Sequence, residues 1–247
     1  MGRDEIRVET SPKRVRALVG GVPMFDTTAA LLVWEHPYYP TYYVPRADVR
    51  AKLQESGETM TRDGLGRGRV LDLEMDDRHV SGAAVAYDDG TVPGLRDLIR
   101  PRWSAMDEWL EEDEPVYVHP RDPYKRIDIL SSSRHVRVEV DGVTVAESRR
   151  PTLLFETGLP TRYYLPVADV RTDLLRPTDS VTRCPYKGDA VWWSLEMDGR
   201  EYDDLVWMYR LPTPESQKAA GLMAFYDERV DVYVDGERQQ RPESPFA

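Results

Sequence analysis

The sequence predicts an all-β protein, mainly strand with a few short helices, built as two tandem copies of a small β barrel or sandwich. Three observations carry that expectation. Residues 15–53 map without a gap onto residues 136–174, a shift of 121, with 15 of 39 positions identical. A self-match of that length marks an internal repeat. Short alternating or apolar runs of strand length recur along the chain, separated by Gly, Pro and Asp. The long helices that a parallel α/β fold places between its strands are missing. A chain of 247 residues accommodates two such units, each able to bury its own core. The boundaries read as a first repeat over 1–120, a docked connector over 121–135 and a second repeat over 136–247.

The elements follow in chain order. A hairpin is expected around Gly20-Gly21, and Leu31-Leu32-Val33-Trp34 reads as a buried strand. Residues 92–110 suit helical turns, and a strand over 114–118 closes the first half, with Tyr117 set against Tyr233. The connector opens with His119-Pro-Arg-Asp-Pro-Tyr-Lys-Arg126, and its apolar Ile127, Ile129 and Leu130 suit docking against a surface. Residues 136–140 alternate apolar and polar, turn at Asp141-Gly142 and resume over 143–146, the Asp-Gly hairpin pattern in which both turn residues tolerate positive φ. Leu153-Leu154-Phe155 repeats the buried strand. Pro166 begins a short helix over 167–175. Strands over 190–197, 205–209 and 230–234 complete the second half. The halves diverge after about residue 65.

Composition excludes several functions. The net charge of −11 argues against nucleic acid, since phosphate affinity is built from clustered Lys and Arg. No apolar run approaches the ~20 residues of a membrane span. The opening Met-Gly-Arg-Asp-Glu-Ile-Arg is no hydrophobic signal region, and a single cysteine forms no intramolecular disulfide. A soluble, cytoplasmic protein with neither nucleic-acid nor membrane partners is expected. His36, His79, His119 and His135 are scattered and no CxxC exists, so no metal site is expected. No phosphate-binding or dinucleotide-binding glycine loop and no serine elbow is present, so no cofactor is expected.

The chemistry concentrates in Thr182-Arg183-Cys184-Pro185-Tyr186-Lys187-Gly188. Cations beside a thiol favour its thiolate, the form nucleophilic catalysis needs. The alternatives are ligand contact and plain packing of a small side chain. At the matching place the first half reads Thr61-Arg62-Asp63-Gly64-Leu65-Gly66-Arg67, keeping Thr-Arg and losing the rest. Glu156, matched by Glu35, is an acid in an apolar strand; such a carboxylate needs hydrogen-bond donors or carries a raised pKa. A structural role fits both, and acid or base catalysis is the alternative for Glu156. The Tyr163-Tyr164 pair repeats Tyr42-Tyr43. By alternation Trp192 and Trp193 face opposite sides of one strand, one into the core and one available to line a pocket with Trp207.

These residues resemble the family known as domain of unknown function 427, in its tandem bacterial form. The resemblance rests on Phe155-Glu156-Thr157 with Tyr163-Tyr164-Leu165-Pro166, on the Cys-Pro-Tyr-Lys-Gly string, on Trp207-Met208-Tyr209, and on Phe225-Tyr226 leading to Val230-Asp-Val-Tyr-Val234. It spans nearly the whole chain and implies a small all-β fold similar to the β-tent domains, some of which hold ligands in aromatic cages. The family also carries a nucleotidyltransferase-like label, but this sequence shows no glycine-serine motif with paired metal-binding aspartates. The expected function is small-molecule binding, with an anionic group drawn to Lys187 and Arg183, in a pocket of Arg183, Cys184, Tyr186, Lys187, Trp192, Trp207 and Tyr164. The alternatives are an enzyme using Cys184 as nucleophile with Glu156 as acid or base, and a scaffold without a small ligand.

Overall fold

The computed structural model describes residues 6–87, Val92 and residues 94–244. The chain divides into two compact units, Met1–Asp122 and Pro123–Ala247. The first holds β1 (Arg7–Thr10), β2 (Val15–Val19), β3 (Val22–Thr27), β4 (Leu31–Trp34), β5 (Thr41–Pro45), β6 (Lys52–Arg62), β7 (Gly66–Met75), β8 (Arg78–Ala86), β9 (Leu98–Pro101), β10 (Glu108–Glu111) and β11 (Glu114–Pro115). The second holds β12 (Ile127–Ser131), β13 (Val136–Val140), β14 (Val143–Ser148), β15 (Thr152–Glu156), β16 (Arg162–Leu165), β17 (Leu175–Cys184), β18 (Gly188–Met197), β19 (Arg200–Pro212), β20 (Met223–Phe225), β21 (Asp231–Val234) and β22 (Glu237–Arg238).

Each unit is a seven-stranded sheet packed on a four-stranded one. The large sheets run β1-β4-β5-β9-β8-β7-β6 and β12-β15-β16-β20-β19-β18-β17; the small sheets run β11-β10-β2-β3 and β14-β13-β21-β22. Read pair by pair, the two units have one topology, and every named strand pairing is antiparallel. The sheets are open, so each unit is a sandwich and not a closed barrel. Residues 127–131, within the stretch read as a connector, form an edge strand of the second large sheet, as residues 7–10 do in the first.

The residues shared by both copies build this frame. In β13 the valines point into the sandwich core and Arg137 and Glu139 point away from it, as period-two alternation requires. Asp141 and Gly142 take φ of 47° and 80°, which places the hairpin turn in left-handed backbone. The repeated Ala-Asp-Val-Arg is a fold element too. Asp48 accepts from Thr27 Oγ1 and Asp169 from Ser148 Oγ, and Val49 and Val170 bridge to Phe25 and Ala146.

Three expectations change. Residues 167–175 form two 3-10 turns, Val167–Asp169 and Thr172–Leu174, instead of a helix. The second turn absorbs one extra residue, so beyond it the copies match at a shift of 122: Leu53 pairs with Leu73 where Leu175 pairs with Leu195. As expected, 92–110 holds a helical turn, Trp103–Ala105, flanked by β9 and β10; residue 93 lies outside the described residues. The closing strand of the first unit is β10, with Glu111 on Val15 as Val234 is on Val136, so Tyr233 answers to Leu110 and not to Tyr117.

The large sheets are apolar on both faces, which explains the unbroken run Leu31-Leu32-Val33-Trp34 and the buried Leu153-Leu154; Phe155, expected in the same buried strand, is exposed instead. One face meets the small sheet. The other carries a second cluster, Val33, Tyr43, Leu65, Val85, Tyr87 and Leu95 in the first unit, and Ile129, Leu154, Tyr164, Ala190, Trp207, Tyr209, Ala219 and Ala224 in the second. The 3-10 turn Pro214–Ala219 sends Ala219 into the latter. The candidate site stands on this outer face.

Candidate functional site

Glu156 ends β15 two positions after the buried Leu154, so alternation turns its carboxylate toward the outer face. Its side chain is 6% exposed and accepts a hydrogen bond from Lys187 Nζ, whose own side chain is 14% exposed. Burial works against the Lys187 ammonium, but the neighbouring Cys184, Glu156 and Tyr164 outweigh it and hold its pKa above the usual lysine value. Burial pushes the Tyr164 phenol up to about 12 and Tyr209 well above the ordinary tyrosine value. Both phenols are neutral donors at physiological pH.

The Cys-Pro-Tyr-Lys-Gly string is the turn from β17 to β18. Lys187 N donates to Cys184 O at 3.3 Å, Thr213 N to Lys187 O at 3.2 Å, and the hydroxyls of Thr213 and Ser216 to Tyr186 O at 2.5 and 3.1 Å. Gly188 sits at φ +97°, and a Cβ there would lie 3.2 Å from the Leu211 carbonyl oxygen. The 3-10 segment thus holds the turn by one backbone and two hydroxyl hydrogen bonds to the turn's carbonyls, which aims Lys187 at Glu156.

Around the pair stand aromatic rings. Trp207 Nε1 donates to Tyr164 Oη at 3.3 Å, with Tyr209 tilted 6.4 Å from Tyr164. Trp192, Trp207 and Tyr226 lie within 5.4–5.9 Å of one another, and Trp192 Nε1 donates to Thr182 Oγ1. Trp193 packs on the sandwich core instead, so the two adjacent tryptophans do divide between the faces.

Cys184, Lys187, Glu156, Tyr164, Trp207 and Trp192 therefore share one face. Arg183 does not join them: alternation along β17 turns it away from Cys184, and it lies exposed 3.5 Å from Asp189. Tyr186 is buried and serves the turn through its carbonyl. Sequence reasoning missed Arg162, two positions before Tyr164 and so on the same face. It makes a bidentate pair with Glu228, while Asp227 Oδ2 stands 3.4 Å from its Nη1. The available signal was an arginine alternating with the tyrosine of an otherwise apolar strand. His36 and His119 both pack on Tyr39, with ring centroids 4.2 and 3.9 Å away, and no group of three or more potential metal ligands forms among the described residues.

The first unit holds its glutamate by other means. Glu35, whose side chain is fully buried, accepts from Tyr43 Oη at 2.8 Å and Arg100 Nε at 2.5 Å and pairs with Arg62. Arg62 pairs with Gly66 where Cys184 pairs with Gly188, so Arg62 stands at the Cys184 position and Leu65 at that of Lys187. This corrects the ungapped alignment, which sets Arg62 against Arg183. Arg100 pairs with Val85 where Ala224 pairs with Trp207, so it takes the Ala224 position. Cys-Lys-Ala in one copy is Arg-Leu-Arg in the other, around the same acid and the same tyrosine.

One family model, described as a domain of unknown function (DUF427), matches residues 7–112 and again residues 128–236. The chain belongs to the DUF427 family. Each match begins at or next to the edge strand of a large sheet, β1 or β12, so one DUF427 domain corresponds to one sandwich. A search of the curated proteins finds no match to the chain. Among the described residues no helix is long and apolar enough to cross a membrane.

Proposed function

We propose that this tandem DUF427 chain is a cytoplasmic binding protein whose second repeat takes a small molecule on the outer face around Cys184, Lys187, Tyr164, Trp192 and Trp207. The exchange between the copies carries the reading. Where the first repeat fills the face with two arginines and a leucine, the second has the short side chains Cys184 and Ala224 beside indole and phenol rings. Aromatic rings with a few convergent polar groups are the usual make-up of ligand sites. Because Lys187 is already paired with Glu156, a strongly anionic ligand would have to displace that carboxylate. The pair favours a neutral or zwitterionic ligand that offers both a donor and an acceptor.

A thermal-shift screen of a metabolite collection against the wild type and Cys184→Arg, which restores the first repeat's arginine, tests this. Ligands that raise the wild-type Tm and lose most of that effect in the variant are expected; ligands acting equally on both, or none at all, would overturn it. Saturation at about 100 times Kd stabilises by about 2.7 kcal/mol, well within reach of the assay. The proximity of Cys184 to the Lys187 ammonium favours an enzyme as the second reading, with Cys184 as nucleophile and Glu156 as acid or base. Mass spectrometry distinguishes the two: the binding reading expects no covalent adduct on Cys184 after incubation with a hit, whereas a turnover-dependent adduct would favour catalysis.

A further inference from the structure

Asp227, just after β20, is 5% exposed, and its Oδ2 accepts no hydrogen bond among the described residues. The nearest cation, Arg162, is committed to Glu228 by two hydrogen bonds, so two buried carboxylates share one guanidinium and one negative charge is left over. Asp227 also lines a cleft of about 180 Å³, walled by Pro160, Tyr163, Val230 and Pro242 with Gln240 at its side. Arg241, on the same rim, is held by Asp231 through Nε and Nη2 and does not reach over to neutralise Asp227. An uncompensated carboxylate is costly to bury. Such a group at the wall of a cleft of mixed polar and apolar lining suits an N–H donor that brings its own positive charge.

The first repeat carries a different residue at the place of Asp227. Tyr226 N donates to Leu205 O as Arg102 N does to Ala83 O, so Asp227 answers to Trp103. That indole stacks on Trp109 at 4.4 Å. The acid thus has no counterpart at the equivalent position of the first repeat.

We propose that this cleft is a binding site for small organic cations, primary ammonium groups above all, with Asp227 as the counter-ion and the proline, valine and tyrosine walls taking the carbon chain. It is a separate site from the outer-face cluster and does not rest on ligand binding there.

Calorimetric titration of the full chain with n-butylammonium chloride tests it, with n-butanol and sodium n-butyrate as neutral and anionic controls of the same length. Butylammonium is expected to bind at least about tenfold tighter than either control. Asp227→Asn, which keeps the shape and removes the charge, should abolish that preference, and Thr161→Trp on the rim should weaken binding with the charge intact. Burial, opposed by Arg162 and reinforced by Glu228, raises the Asp227 carboxyl to about 7, so binding should weaken in the wild type between about pH 8 and about pH 5 and show no such dependence in Asp227→Asn. The charged and titratable groups facing Asp227 are Arg162 and Tyr163 on β16, Glu228 beside it, and the Arg241–Asp231 pair; all stay in place in the Asn variant, which isolates the aspartate. Equal affinity for the three probes, or an ammonium preference that survives Asp227→Asn, would overturn the proposal.

Discussion

The two repeats bury the same glutamate on the same strand and neutralise it from different places. Glu35 is clamped by two arginines and a tyrosine; Glu156 has a single lysine supplied by a hairpin turn. A buried carboxylate without a partner is too costly to keep, so a cation must arrive from somewhere, but the sheet offers several positions from which one can reach. Once Arg62 and Arg100 do the work, the position of Lys187 is free to become Leu65, a core residue. The lesson is that the acid belongs to the fold and its counter-ions vary. The first repeat's choice fills the outer face with guanidinium, while the second leaves that face to aromatic rings.

Truncating each acid breaks the comparison most severely. Glu35→Ala leaves two guanidiniums facing each other, one of them largely buried, and should cost about 3–5 kcal/mol. Glu156→Ala strands only Lys187 and should cost less. Urea denaturation of both variants checks the order, and a Glu156 variant more damaged than the Glu35 variant contradicts it.

Asp227 provides the next largest effect, and of opposite sign. Its carboxyl is raised from 3.8 to about 7, so the folded state prefers it protonated. That preference is fully available below about pH 4 and is lost as pH rises through about 7. At about 1.4 kcal/mol per pH unit, the charged form costs the fold no more than about 4.5 kcal/mol. Asp227→Asn should therefore raise Tm at pH 8 and change it little at pH 4. A larger gain at the acid end would refute the assignment.

Gly188 and Gly142 form a smaller contrast. Both have positive φ, but a Cβ at Gly142 meets open space and one at Gly188 meets the backbone of residues 211–213. Gly188→Ala should cost roughly 1–3 kcal/mol and Gly142→Ala nearer the lower end, from strain alone. Equal losses would mean that the close approach at Gly188 does not matter. The smallest effect concerns the repeated arginine of Ala-Asp-Val-Arg. Arg171 pairs with the exposed Asp173, and Arg171→Ala should leave Tm unchanged within error.

Much of the fold was legible in the sequence. The ungapped repeat announced two copies, and Val136–Val140 with Asp141-Gly142 announced a hairpin, because period two and positive-φ turn residues are local properties. What failed was non-local. One residue absorbed at Thr172–Leu174 shifts every later equivalence, and only hairpin register reveals that Arg62 stands for Cys184. The closing strand was misplaced because Glu114-Pro-Val-Tyr-Val118 imitates β21 in composition while β10 matches it in pairing. Of the candidate site, one string and strand alternation pointed to Glu156, Lys187, Cys184, Tyr164, Trp192 and Trp207, which share one face in the structure. Arg183 was included by adjacency in sequence, which in a strand means the opposite face. Arg162 and Asp227 escaped because their burial depends on segments 65 residues apart coming together.

A double-mutant cycle on Cys184→Arg and Lys187→Leu, which writes the first repeat's residues into the second, tests the exchange most directly. Lys187→Leu alone leaves Glu156 buried and unpaired and should cost about 3–5 kcal/mol. Cys184→Arg alone crowds the face and should cost about 1–3 kcal/mol. If either cation can serve the same carboxylate, the double variant should be more stable than the sum of the singles predicts by at least about 1 kcal/mol, measured by urea denaturation. Costs that simply add, to within about 0.5 kcal/mol, would contradict it.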